Sequence, residues 1–197
     1  MNPRTSVVAR QTKALGRSVK SQALVLGATT ATCWTVFAVN TLLGGMLNVL
    51  GIIPRTALGL RGIVFSPFLH GNFDHLLANT ASFLILGWLV MLRDSRHFLL
   101  VSLFAALGSG LMAWTLGAPN SVHIGASGVI FGFLGFLLLA GWYARSFASI
   151  AISVLVAVLW GGLVLGVMPG QVGISWQGHL GGFVGGVLAA RYYRAGR

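Results

Sequence analysis

Glutamate is absent from this chain of 197 residues, and aspartate occurs only at Asp74 and Asp94. Charged residues make up 8% of the sequence, against about 25% in a typical soluble domain. So few charges cannot clothe a water-facing surface, and 56% hydrophobic residues are too many for one soluble core. The shortage of carboxylates excludes EF-hand calcium sites, paired-carboxylate glycosidases and His-Glu-x-x-His zinc proteases. One cysteine, Cys33, cannot build a disulfide framework; it lies inside an apolar run and reads as packing filler. No metal and no cofactor is expected. What remains is an integral membrane protein.

Six apolar runs are long enough to be membrane helices, which need about 20 mostly apolar residues. They cover residues 23–50 (longer than one crossing), 75–92, 98–117, 125–143, 147–168 and 175–192. Pro54 and the polar 54–62 stretch end the first, and Arg93-Asp94-Ser95-Arg96-His97 separates the second from the third. Pro119, Arg145 and Pro169 mark the later breaks. The expected fold is an all-α membrane protein, a bundle of six transmembrane helices. Periodicity does not tell which helix is central, because every run is apolar nearly all round.

The basic residues orient the bundle. With a cytoplasmic N-terminus, the inner segments hold Arg4, Arg10, Lys13, Arg17, Lys20, Arg93, Arg96, Arg145, Arg191, Arg194 and Arg197, and the outer segments only Arg55 and Arg61. That bias follows the positive-inside rule and puts both termini in the cytoplasm, as an even number of spans requires. The formal charge of +11 is therefore read as an orientation signal, and no nucleic acid is expected as a partner. Residues 1–22 form a basic cytoplasmic tail, 23–192 the membrane domain and 193–197 a basic C-terminal tail. The acid-free, Ser/Thr-containing 1–22 segment is also compatible with mitochondrial targeting.

Polar groups at membrane depth are costly and mark functional sites by default. In this topology His70, His75 and Asn79 sit at the outer end of the second span, Ser127 at the outer start of the fourth, and His179 one turn into the sixth. Each has an ordinary reading alone, such as a helix-end group or an interhelical tie. Those readings do not account for convergence at one level. Gly128 and Gly132 on the fourth span, and Gly178, Gly182 and Gly186 on the sixth, form small-residue faces that permit close backbone approach. Packing through them would bring Ser127 and His179 together.

Paired-aspartate chemistry fails because Asp74 and Asp94 fall on opposite sides of the membrane. Gly125-Ala126-Ser127-Gly128 is not the Gly-x-Ser-x-Gly elbow of α/β-hydrolases, since position 129 is valine. A Ser–His pair without a third acid is left. Three segments resemble the rhomboid intramembrane serine proteases: His70-Gly-Asn-Phe-Asp-His75-Leu-Leu-Ala-Asn79, Gly125-Ala126-Ser127-Gly128, and His179-Leu-Gly-Gly182-Phe-Val-Gly-Gly186. They occur in order on the second, fourth and sixth spans, and the resemblance covers nearly all of the chain from residue 23.

The resemblance implies Ser127 as nucleophile and His179 as general base. It implies an oxyanion hole from the Ser127 N–H and the side chains of His75 and Asn79, which share a helix face at i, i+4. His70 would anchor the outer loop, Phe131 would pack against the imidazole, and Gly125, Gly128, Gly182 and Gly186 would support the site. Residues 51–69 would dip partly into the membrane, although Leu60-Arg61 departs from the family's usual Trp-Arg there. The implied substrate is a transmembrane helix of another membrane-anchored protein, cut near the outer face, with the lipid bilayer as surrounding medium. A bacterial plasma membrane is the expected location; nothing in the sequence indicates the oligomeric state. Two other readings stand beside this one, a catalytically silent binder of membrane helices and a small multi-span transporter. His123, four residues before Ser127, is a rival base, disfavoured because it lies in a loop with no packing face to fix it.

Overall fold

The computed structural model describes residues 3–93, 95–144, 147–171 and 173–195. Asp94, Arg145 and Arg197 lie outside them, as do the side chains at positions 4, 10, 13, 17, 96 and 194. The described residues are almost entirely helical. The long helices are α1 (Pro3–Leu42), α3 (Phe73–Arg93), α4 (Ser95–Leu116), α5 (Ser127–Ala144), α6 (Phe147–Trp160) and α7 (Trp176–Ala195). A short α2 (Gly62–Phe65) stands among 3₁₀ turns between α1 and α3. The stretches Ser18–Leu42, Phe73–Arg93, His97–Leu116 and Phe147–Val167 are long and apolar enough to cross a membrane. The other two long helices stand where the fourth and sixth spans are expected but fall below that measure. The apolar part of α5 is short, Ser127–Tyr143, and α7 carries glycines, Gln177 and His179 where other spans carry leucine.

Three boundaries differ from expectation. The first apolar run does not continue as one helix to residue 50. Gly44 and Gly45 adopt φ of +63° and +86°, and the Gly45 N–H donates back to the Asn40 carbonyl at 2.8 Å. The helix closes there, in the left-handed conformation that glycine adopts without a Cβ penalty. The buried Asn40 side chain then binds the turn that follows, accepting from the Leu47 N–H at 2.8 Å and donating to Asn48 at 2.9 Å. In the fifth run the α-helix stops at Trp160, and Gly161–Val167 continues as 3₁₀ helix. At the other end, α1 begins at Pro3 and runs through the basic segment without a break.

The central helix is α5, whose residues 128–137 are all buried. Phe133, Leu134, Phe136 and Leu137 fill the core against Leu86 and Val90 of α3, Val101 of α4 and Ala189 and Ala190 of α7. Helix α7 lies in the groove between α4 and α5, and glycine makes this possible. A Cβ on Gly182 would collide with the Gly128 carbonyl, and one on Gly186 with the Gly132 carbonyl. On its other side, Gly181 meets the Gly108 carbonyl and Gly185 the Phe104 carbonyl. The small-residue faces predicted on the fourth and sixth spans do pack together. The matching face on α4 was not anticipated.

By contrast, α1 meets the bundle through the buried Leu26 and a few side-chain hydrogen bonds. Trp34 Nε1 donates to Thr80 Oγ1 at 3.1 Å, and Gln22 Nε2 donates to Ser95 Oγ at 2.9 Å. Between α1, α3 and α4 lies an apolar cleft of about 380 Å³ that reaches Asn79 and Ala126. The segment 51–69 is tied back to the end of α4 and the loop beyond it. Ile52 and His123 form an isolated antiparallel bridge, and the Arg55 guanidinium donates to the Thr115 and Gly117 carbonyls at 3.1 and 2.9 Å.

Candidate active site

Ser127 is the first residue of α5 and His179 stands in the first turn of α7. Because the glycine faces let these helix ends converge, His179 Nε2 lies 2.8 Å from Ser127 Oγ. The other ring nitrogen, Nδ1, is 3.0 Å from the Gly166 carbonyl. A carbonyl can only accept, so Nδ1 carries the proton and Nε2 is left to accept from the serine hydroxyl. Phe131 stacks on the imidazole with centroids 4.1 Å apart and planes within 11°. The ring is thus fixed by a stack on one face and a bond at its edge.

The Gly166 carbonyl was missed in the sequence, where the resemblance implied only Phe131 packed against the imidazole. No sequence signal marks it, since any residue supplies a backbone oxygen. The 3₁₀ turn after α6 presents it, and a Cβ at this position would press on Phe131 and His179 at 3.0–3.1 Å.

The predicted polar residues of α3 reach the same place. Gly125 adopts φ +120°, and a side chain there would lie 2.7 Å from His75 Nε2 and 3.6 Å from Asn79 Nδ2. Both side chains therefore face the backbone just before Ser127. Asn79 is buried, and its Nδ2 has no hydrogen-bond partner among the described residues. The Gly125 N–H donates to the Ser66 carbonyl at 2.9 Å, which fixes the loop. Asn72, overlooked in the sequence, caps α3 by accepting the His75 N–H at 2.8 Å; an Asn just before an apolar run is the usual sign of such a cap.

His70 is buried beneath the site with its ring edge-on to His75, centroids 5.1 Å apart. Burial, with the neighbouring His75 adding to it, holds the His70 imidazole down to about 4.

His123 corrects an expectation. It is not a loosely held loop residue: Nδ1 lies 2.6 Å from Ser175 Oγ, Nε2 lies 3.0 Å from Ser121 Oγ, and its backbone pairs with Ile52. Neither nitrogen is directed at Ser127. Sequence reading missed Ser175 too, although it precedes α7 in the N-cap position and accepts the Gly178 N–H at 3.3 Å. A small cavity of about 20 Å³ lies between Ser127, His179, His123, Ser175 and Ser109, enough for one water molecule.

A helical membrane bundle with a hydrogen-bonded serine–histidine pair at one end of its most buried helix defines a narrow class. The Rhomboid domain model matches residues 57–196, and the chain belongs to the rhomboid family. It is 41% identical over 187 residues to an uncharacterized protein of Mycobacterium tuberculosis, covering 88% of this chain and 78% of that one. It is 33% identical over 129 residues to RHOMBOID-like protein 4 of Arabidopsis thaliana, covering 61% of this chain and 31% of the relative. With Rhomboid-like protease 5 of Toxoplasma gondii it shares 35% identity over 134 residues, 64% of this chain and 15% of that one. The family and the apolar helices make this an integral membrane protein.

Proposed function

We propose that the protein is an intramembrane serine endopeptidase that cuts transmembrane helices of membrane-anchored proteins near the outer face of a bacterial plasma membrane. The observation that carries this reading is the 2.8 Å contact between Ser127 Oγ and His179 Nε2, with Nδ1 bonded to the Gly166 carbonyl. In the proposed topology six helices span the bilayer and both termini are cytoplasmic, so the site opens to water on the outer side.

Ser127 Oγ attacks the scissile carbonyl carbon as its proton passes to His179 Nε2. The imidazolium that forms is stabilised by its Nδ1–H bond to Gly166 and by the Phe131 face. Negative charge developing on the carbonyl oxygen is met by the Ser127 N–H, which opens a helix and has no intrahelical acceptor, and by His75 and Asn79. Such donors contribute about 2.7–4 kcal/mol each when judged by deletion. His179 then gives the proton to the leaving amine. A water molecule repeats the sequence on the acyl-enzyme, regenerating Ser127 and releasing the new carboxyl terminus. The substrate helix must unwind locally, because helical hydrogen bonds hide the carbonyls, so small or helix-destabilising residues are expected at the cut.

In proteoliposomes, Ser127→Ala and His179→Ala should each abolish cleavage of a membrane-anchored substrate while the protein still accumulates and keeps its thermal midpoint. Cleavage retained in Ser127→Ala overturns the reading. A fluorophosphonate should label wild-type protein at Ser127, and folded protein that stays unlabelled would instead be a membrane-helix binder.

A further inference from the structure

Four residues before Ser127 stands His123, and four before His179 stands Ser175. This upstream pair is itself hydrogen-bonded, at 2.6 Å. The same two segments are therefore joined by two serine–histidine contacts, with the residue types exchanged between them. Donors and acceptors along the second contact run without conflict. The Gly178 N–H donates to Ser175 Oγ, which leaves the Ser175 hydroxyl to donate to His123 Nδ1. His123 Nε2–H donates to Ser121 Oγ at 3.0 Å, and Ser121 donates to the Ala118 carbonyl at 2.7 Å. The ends are also fixed: the Ser175 carbonyl accepts the His179 N–H at 3.0 Å, and the His123 N–H and carbonyl both pair with Ile52 at 2.9 and 3.0 Å.

We propose that His123 and Ser175 are positioning residues, a hydrogen-bonded lace that sets the distance between Ser127 and His179. The inference rests on the reading of Ser127 and His179 as the reactive pair. Its physical need is clear from the packing. The glycine faces let α5 and α7 approach but supply no directional bond to stop one helix sliding or turning on the other. The lace supplies one at the same end of the seam, four residues ahead of each reacting side chain. Burial lowers the basicity of His123, which favours the neutral ring with one donor and one acceptor nitrogen that this arrangement uses.

The test compares His123→Leu with His123→Asn in proteoliposomes, measuring kcat, KM, thermal midpoint and Ser127 labelling. Leucine removes both polar atoms. Asparagine keeps an acceptor for Ser175 and a donor, but cannot take up a proton in the working pH range. The leucine variant should lose about 10- to 100-fold in kcat with KM little changed, as expected when reacting groups are slightly misplaced. The asparagine variant should recover most of that loss. Wild-type kcat in His123→Leu overturns the proposal. So does an asparagine variant as inactive as leucine at an unchanged thermal midpoint, since that would make His123 a proton carrier. Should His123→Leu not accumulate, Ser175→Gly carries the test: glycine is tolerated as a helix N-cap and removes the hydroxyl. Wild-type kcat there is again fatal. Wild-type protein that neither cleaves nor labels refutes the reactive pair itself, and the lace with it.

Discussion

Helices α5 and α6 follow one another in the chain, are similarly apolar, and have opposite surroundings. Residues 128–137 of α5 are buried without exception, whereas in α6 Val156 alone is fully buried and Phe147 and Val158 are 90% and 75% exposed. In water the difference would be written as hydrophobic against polar. In lipid it is written in glycine: α5 has Gly128, Gly132, Gly135 and Gly141, and α6 has none between Phe147 and Trp160. Lipid tails are as apolar as leucine, so association depends on close packing instead of on expulsion from water.

The comparison is broken most severely by adding one methyl group where α5 is crossed. Gly186→Ala should cost about 3 kcal/mol or more, because the obstacle is the Gly132 backbone and a packed core cannot give way. A large fall in thermal midpoint, with loss of Ser127 labelling, would be the readout. Phe131→Leu should act where α5 meets the continuation of α6. Loss of the stacked ring should lower kcat by about tenfold through misorientation of His179, with a smaller change in thermal midpoint. The mildest case is the same chemistry on the other side. Gly162→Ala, at a position with nothing within 4 Å of the added carbon, should stay within about 0.5 kcal/mol of wild type. Equal effects at Gly186 and Gly162 would show that glycine does not distinguish the two regions.

Much of this arrangement was legible in the sequence, for reasons particular residues make plain. The breaks at Pro54, Pro119 and Pro169 and the charged 93–97 segment bound apolar runs, and helices occupy each run. His75, Asn79, Ser127 and His179 stood out because polar side chains are scarce in such a chain, and the structure brings all four to one end of the bundle. The centrality of α5 was hidden because an even hydrophobicity has no face to read. The closure at Gly44-Gly45 was hidden inside a run that stays apolar to residue 50. The Gly166 carbonyl had no side chain to announce it. His123 looked unsupported because its supports, Ile52 and Ser175, lie 71 and 52 residues away along the chain.

The Gly166 carbonyl has a consequence beyond its bond to His179. It is carried on the continuation of α6, a helix whose residues are mostly exposed and so face lipid in the proposed topology. A membrane helix settles its tilt and height by matching its apolar length to the local hydrocarbon thickness. In the proposed topology the acceptor that selects the tautomer of His179 therefore takes part of its register from the bilayer. Membrane thickness would then be an alignment element of the site, alongside the side chains that line it.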